Sequence, residues 1–314
     1  MLKAESQVAR LPYAGADPVW EDNNQTQQFV RGNIEQLYKM SQRDTLRRDV
    51  LAGIGRLAFH RIMLPIARKQ LENEYEFMVK GRENIPDGAA VIAIPHQDHL
   101  DPQSFIAAIG EPVNTIAAID GDATPAEWAL LEMLDCISTI RGDHELARKR
   151  QIEAKLEEIQ RLRNGRKVLV APEITYGPEF NKLLRFYKGG VIDAPMEAGV
   201  PVVPSMVVYV PGEDYTTRAI HVEFGKPFMP GEYSDSFVAV NALERNMLGM
   251  KIRLNREHNP GMTPTDFARW RAAQSAKFPE DGDYYTTAKY TLNYKFDPKG
   301  TEALFRRPSA KEAQ

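Results

Sequence analysis

Two histidines and two aspartates share six residues, His96-Gln97-Asp98-His99-Leu100-Asp101. Three readings compete for them. In the first there is no chemistry: Asp101 caps a helix with Pro102 behind it, and the histidines are polar loop groups. Aspartate accepts orphan N–H bonds at a helix start, and proline suits the first helical position. The second is a metal site with His96, Asp98 and His99 as ligands. It needs further ligands at strand ends, and the remaining histidines sit elsewhere: His60 in a basic helix, His144 at a helix start, His221 alternating within a strand, His258 in a polar exit. The third is a His96–Asp101 pair in an H-x4-D spacing. A histidine near neutral pKa can take the proton of an attacking hydroxyl, and a carboxylate can fix its tautomer and stabilise the imidazolium.

What positions these residues is the run before them. Ala89 to Ile94 is unbroken and apolar and ends at Pro95, the pattern of a strand buried on both faces. Such a strand delivers His96 to a loop at its carboxyl end, where ligands bind in open α/β sheets. Further strands are predicted at Tyr75–Lys80, Val113–Ile119, Ile137–Ile140, Val168–Ala171, Val200–Val210 and Ala219–Phe224. Helices are predicted at Pro102–Ile109, from the capping box Thr124-Pro125-Ala126-Glu127 to Leu134, and from an Asp143 cap to Arg163. In that last helix Ile152, Leu156, Ile159 and Leu162 form the expected buried stripe. Gly189–Gly199 reads as a short turn or helix interrupted by Pro195. Ser234–Arg256 is a helix with Phe237, Val240, Leu243, Met247, Met250 and Leu254 on one side.

Strands alternating with helices predict an α/β fold: a mostly parallel central sheet flanked by helices, with an N-terminal helical portion. The expected organisation is a mobile arm at 1–25, helices at 26–72, the α/β domain at 73–258 and a partly irregular extension at 259–314. Tyrosine-rich 284–296 is a candidate edge strand there.

At 314 residues the chain can bury a sizeable core, and its net charge of −3 gives no footprint for nucleic acid. The single cysteine, Cys136, reads as a small core residue rather than a nucleophile. No apolar run approaches the roughly 20 residues of a membrane span, and no signal peptide is visible. The expectation is a cytoplasmic protein, or one attached to a membrane surface from one side. Residues 41–70 carry Arg43, Arg47, Arg48, Arg56, Arg61, Arg68 and Lys69 against Asp44 and Asp49, a balance of +5. That stretch is either a helix with a solvated basic face or one lying on an anionic membrane.

The H-x4-D pair resembles the first motif of the glycerolipid acyltransferase family, which includes glycerol-3-phosphate and lysophosphatidate acyltransferases. Three further stretches follow in the order that family uses. Ile137-Ser138-Thr139-Ile140-Arg141 resembles its apolar block ending in arginine. Val170-Ala171-Pro172-Glu173-Ile174-Thr175-Tyr176-Gly177 resembles its F-P-E-G-T-R block, with Pro172, Glu173 and Thr175 matching. Ile174 stands where the family has glycine, and Tyr176 where it has a phosphate-binding arginine. Phe186-Tyr187-Lys188-Gly189-Gly190, then Glu197-Ala198-Gly199-Val200-Pro201-Val202-Val203-Pro204, resembles the passage that follows, and Gly225-Lys226-Pro227 its closing turn.

The resemblance implies acyl transfer from a thioester to a hydroxyl of a lysolipid or small acceptor, with acyl-coenzyme A or acyl carrier protein as co-substrate. No cofactor, metal or covalent intermediate is implied. His96 would act as general base with Asp101 orienting it, and amides at the helix start near Asp101 would hold the oxyanion. Arg141 and Lys188 would hold the acceptor's anionic group, Arg185 being a substitute, and Glu173 and Thr175 would help orient the acceptor. Two other classes stay open: a hydrolase using the same pair on water, and a non-catalytic lipid- or acyl-carrier-binding module.

Overall fold

The computed structural model describes residues 64–96, 98, 100–119, 135–140, 145–172 and 190–263, with single positions beyond them. The expected arm at 1–25, most of the helical stretch 26–63, the helix from Thr124, the Asp143 cap and the strand at 284–296 lie outside the described residues.

In chain order the elements are α1 (Leu64–Glu74), β1 (Glu76–Lys80), a 3-10 turn (Arg82–Asn84), β2 (Ala90–Ala93), α2 (Leu100–Ile109), β3 (Val113–Ile119) and β4 (Ile137–Ile140). They continue with α3 (Glu145–Arg163), β5 (Lys167–Val170), α4 (Gly190–Ala198), β6 (Val202–Pro211), β7 (Thr217–Phe224), a 3-10 turn (Pro230–Glu232) and α5 (Ser236–His258). The strands form one sheet in the order β1-β7-β6-β2-β5-β3-β4. From β6 to β4 every neighbouring pair is parallel. β7 returns antiparallel to β6, and β1 pairs parallel with β7, so these two run against the rest. This is the mostly parallel α/β sheet that the alternation of strands and helices predicts.

Side chains alternate across the sheet with period two, which builds two cores. On one face Ile92, Leu169, Val203, Val207 and Ile220 meet Leu71 of α1 and Phe105 and Ile109 of α2. On the other, Val91, Val168, Met206 and Val208 meet Ile159 of α3, Ile192 of α4 and Leu243 and Met247 of α5. β2 and β5 are buried at every residue, which is why Ala90–Ala93 and Val168–Val170 are continuous apolar runs rather than alternating ones.

Two expectations about helix faces fail. Ile152 and Leu156, predicted in the buried stripe of α3, are 63% and 59% exposed. The face that is buried carries Ala147, Arg150, Ala154, Glu158, Ile159, Arg161 and Leu162. Polar ties orient this helix. Arg150 Nε donates to the Ser138 carbonyl at 2.8 Å and its Nη1 meets Glu157 at 2.8 Å. Arg161 and Arg166 both clasp the buried Asp135 carboxylate, at 2.5 and 2.7 Å. A buried charge that is paired and hydrogen-bonded can occupy a core position, so counting apolar residues turns the helix the wrong way. Burial pushes the Glu158 carboxyl up to about 8, so that group sits in the core as a neutral acid. Phe237 in the first turn of α5 is likewise exposed, at 62%. Around Pro195 the chain stays helical: α4 carries that proline inside its nine residues.

Candidate active site

β2 and β5 are neighbours whose outgoing connections leave in opposite directions. From β2 the chain passes through α2 to β3, on the far side of β5; from β5 it passes through α4 to β6, on the far side of β2. That is a topological switch point, where helices diverge and leave a crevice at the carboxyl ends of the strands. The pairing Ala93↔Val170 and the bond from Ile94 N–H to the Val170 carbonyl at 2.9 Å hold the two exits side by side. Buried prolines stop the ladder on both strands, Pro95 two residues past Ala93 and Pro172 two past Val170, because proline has no N–H to continue it. His96 therefore emerges in the crevice, half-buried with Nδ1 enclosed. The first and third sequence blocks meet here through strand pairing.

The loop after His96 is fixed by its two aspartates. Asp98 Oδ1 accepts the Leu100 N–H at 2.9 Å, and the Asp98 carbonyl accepts the Asp101 N–H at 3.1 Å. In return Asp101 Oδ2 accepts the Asp98 N–H at 2.8 Å. This is one arm of a capping box, with the acidic residue three positions on reaching back to the cap. Asp98, not Asp101, thus caps the helix, which starts at Leu100 rather than Pro102. Two consequences follow. Asp98 is spent as a buried cap, which removes it from the outward-facing position a metal ligand needs. The amides of Asp98, Leu100 and Asp101 all donate inside this turn, so they are not the oxyanion donors expected there. What α2 offers the crevice is the partial positive charge of its N-terminus.

Two phenols flank this loop. Burial, followed by the charges of Glu74 and Asp98, pushes the Tyr75 hydroxyl up to about 12, which keeps it protonated. Tyr209 donates its O–H to Asp101 Oδ1 at 2.5 Å. It comes from the part of β6 that runs past β2: Ala93 pairs with Pro204, and β6 continues to Pro211 against β7. The hairpin thereby forms a wall beyond the end of β2. Sequence reasoning missed Tyr209. The one signal was the single aromatic ring in the strand.

The apolar part of the second block is β4, Ile137–Ile140, and α3 holds that strand firmly. Arg150 grips the Ser138 carbonyl and hydroxyl, and Gln151 Nε2 donates to the Ile140 carbonyl at 2.9 Å. Arg141 itself, Glu173, Ile174, Thr175, Tyr176, Arg185, Lys188 and His99 lie outside the described residues. In the fourth block Gly225 is tightly enclosed: a Cβ there would stand 3.0 Å from the Pro204 carbonyl and the Met250 sulfur. Its N–H donates to that same carbonyl at 2.7 Å, tying the closing turn to β6.

The other reactive groups belong to structure. Burial pushes the Cys136 thiol up to about 12, so it supplies no thiolate. His221 and His258 stack with ring centroids 3.7 Å apart on the sheet face opposite Tyr209. Burial first and then the neighbouring His258 push His221 down to about 4.

A histidine thus stands at the switch point of a mostly parallel sheet, on a loop closed by two buried carboxylates. The Acyltransferase family model matches residues 76–208, the span from β1 into β6 that builds this crevice. The match spans 133 of the chain's 314 residues and marks this region as an acyltransferase domain. Among solved structures it is similar to the 1-acyl-sn-glycerophosphate (LPA) acyltransferase PlsC from Thermotoga maritima, at 20% identity and a TM-score of 0.41. That likeness covers 73% of this chain and 92% of the other. Comparison with curated proteins gave no match.

Proposed function

We propose that the protein moves a fatty acyl group from an acyl thioester, carried by coenzyme A or acyl carrier protein, to a hydroxyl of a lysolipid or related acceptor. The observation that carries this reading is the acyltransferase domain at 76–208 with His96 at the carboxyl end of β2, in the switch-point crevice. His96 takes the hydroxyl proton as the acceptor oxygen bonds to the thioester carbon. The tetrahedral oxyanion forms near the N-terminus of α2. Its collapse breaks the carbon–sulfur bond, and the thiolate takes the proton back from the imidazolium. Asp101 orients the loop and supports the positive charge on His96. Arg141 and Lys188 hold the acceptor's anionic group, and Glu173 and Thr175 orient it.

The test is turnover of a labelled acyl thioester with and without a panel of hydroxyl acceptors. Ester and free thiol are expected to appear in equal amounts, only when an acceptor is present. Thiol release that ignores the acceptor makes the protein a thioester hydrolase instead.

The same reading places the enzyme at a membrane surface through residues 41–70, with their balance of +5. Support comes from α1 and the residues just before it. Leu64 and Leu71 are buried, while Arg61, Ile62, Ile66, Arg68 and Lys69 are exposed together. Among the described residues no helix is long and apolar enough to cross a membrane. Vesicle sedimentation is expected to rise with anionic lipid and fall with salt, since exposed charges are screened within about 10 Å at 0.1 M. Equal sedimentation with neutral and anionic vesicles would reduce the basic stretch to a solvated surface.

A further inference from the structure

Tyr209 is wholly buried, and so is the carboxylate its hydroxyl meets. The two residues are 108 positions apart in sequence, on β6 and α2. Where only volume is required, a buried aliphatic or phenylalanine side chain serves without the cost of desolvating a hydroxyl. The other residues sharing this face of β6, Val203, Ser205 and Val207, are smaller. The ring is also held in place. It stacks on Trp270 with centroids 6.0 Å apart and planes at 27°, and Trp270 Nε1–H donates to Thr217 Oγ1 at 3.0 Å. Behind it, Asn259 Nδ2 donates to the Tyr209 carbonyl at 3.1 Å. The phenol is thus anchored by β7, by the residue after α5 and by Trp270, and its O–H is aimed at Asp101.

We infer that Tyr209 is a positioning residue of the active site: its O–H fixes the Asp101 carboxylate and, through Asp101's grip on the Asp98 amide, the loop that presents His96. The inference rests on the reading of His96 as general base. With the phenol in place, one Asp101 oxygen faces Tyr209 and the other faces the Asp98 N–H, so the carboxylate cannot rotate without breaking a charge-assisted hydrogen bond. The charge that supports an imidazolium on His96 is then fixed in both place and strength.

The experiment compares full-length Tyr209→Phe, Asp101→Asn, their double variant and His96→Ala by steady-state kinetics across pH, with melting curves alongside. Tyr209→Phe keeps the ring and its stacking. It is expected to lower kcat about 10- to 100-fold, the loss typical of one hydrogen bond to a charged group, with KM for both substrates unchanged. The acid limb of its pH–rate profile should move upward, because a carboxylate without its phenol donor holds a proton on the dyad to higher pH. Added to Asp101→Asn, the change at Tyr209 should cost little more, as expected when one residue acts through the other. A packing role would lower the melting temperature and move none of these readouts. If His96→Ala and Asp101→Asn turn over normally, the underlying reading of the site fails. If they are inactive while Tyr209→Phe keeps wild-type kcat and profile, or its loss adds in full to that of Asp101→Asn, the site stands and the role of Tyr209 is overturned. Should Tyr209→Phe fold poorly, difluorotyrosine at position 209 keeps the shape and strengthens the donor. It must move the acid limb downward, and an unmoved limb overturns the inference.

Discussion

Replacement of His96 by alanine is expected to leave the fold intact and to lower turnover by at least about 10²-fold, the low end for loss of a general base. The fold should survive because His96 is only half-buried and follows the strand rather than belonging to it. Asp101 offers the instructive contrast. Asp101→Ala deprives both the Asp98 amide and the Tyr209 hydroxyl of their acceptor in a fully buried setting, at about 1–3 kcal/mol for each group left unsatisfied. That variant should lose activity and stability together, whereas His96→Ala loses activity alone. His99→Ala should be far milder than His96→Ala. Kinetics paired with denaturant unfolding decides the matter: a folded His96→Ala enzyme with wild-type kcat removes the histidine from the mechanism, and equal losses at His96 and His99 revive the metal reading.

The strands that place His96 were legible because parallel strands buried on both faces have little choice of composition. Ala89–Ile94 reads as a strand from its apolar run, and Val113–Ile119 and Ile137–Ile140 match β3 and β4 to the residue. The order of the blocks was legible for the same reason, each sitting where a strand hands over to a loop. The local hydrogen bonding was harder. Aspartates at 98 and 101 both suit a helix start, and only the backbone geometry reveals that Asp98 caps while Asp101 reaches back. Contacts between distant elements were beyond reach. Nothing near Tyr209 in sequence mentions Asp101, and nothing around Arg150 says that its guanidinium is buried against Ser138. The exposed Ile152 and Leu156 are the other side of that error: once arginines take the core-facing positions, the isoleucine and leucine turn outward.

Glycerol 3-phosphate is expected to be a poor acceptor, with a lysolipid or a larger hydroxyl compound preferred. A small phosphate ester has few contacts beyond its phosphate, so it depends on several cations or amides acting together. The third block offers Ile174 and Tyr176 where the family has glycine and arginine. Isoleucine is stiff at its branched β-carbon and disfavours positive φ, which opposes close approach of backbone to phosphate. Tyrosine carries no positive charge. Losing one cationic contact, at about 1.5–3 kcal/mol per charge-assisted hydrogen bond, weakens a phosphate acceptor about 10- to 100-fold. A lysolipid also carries an apolar chain, which glycerol 3-phosphate lacks. Ile174 and Tyr176 would add apolar and aromatic surface for such a molecule. The decisive measurement is kcat/KM for glycerol 3-phosphate, lysophosphatidate and uncharged alcohols with one acyl donor. If glycerol 3-phosphate leads, Arg185 or Lys188 has taken over the missing arginine's role, and charge reversal at those two positions should then abolish the preference.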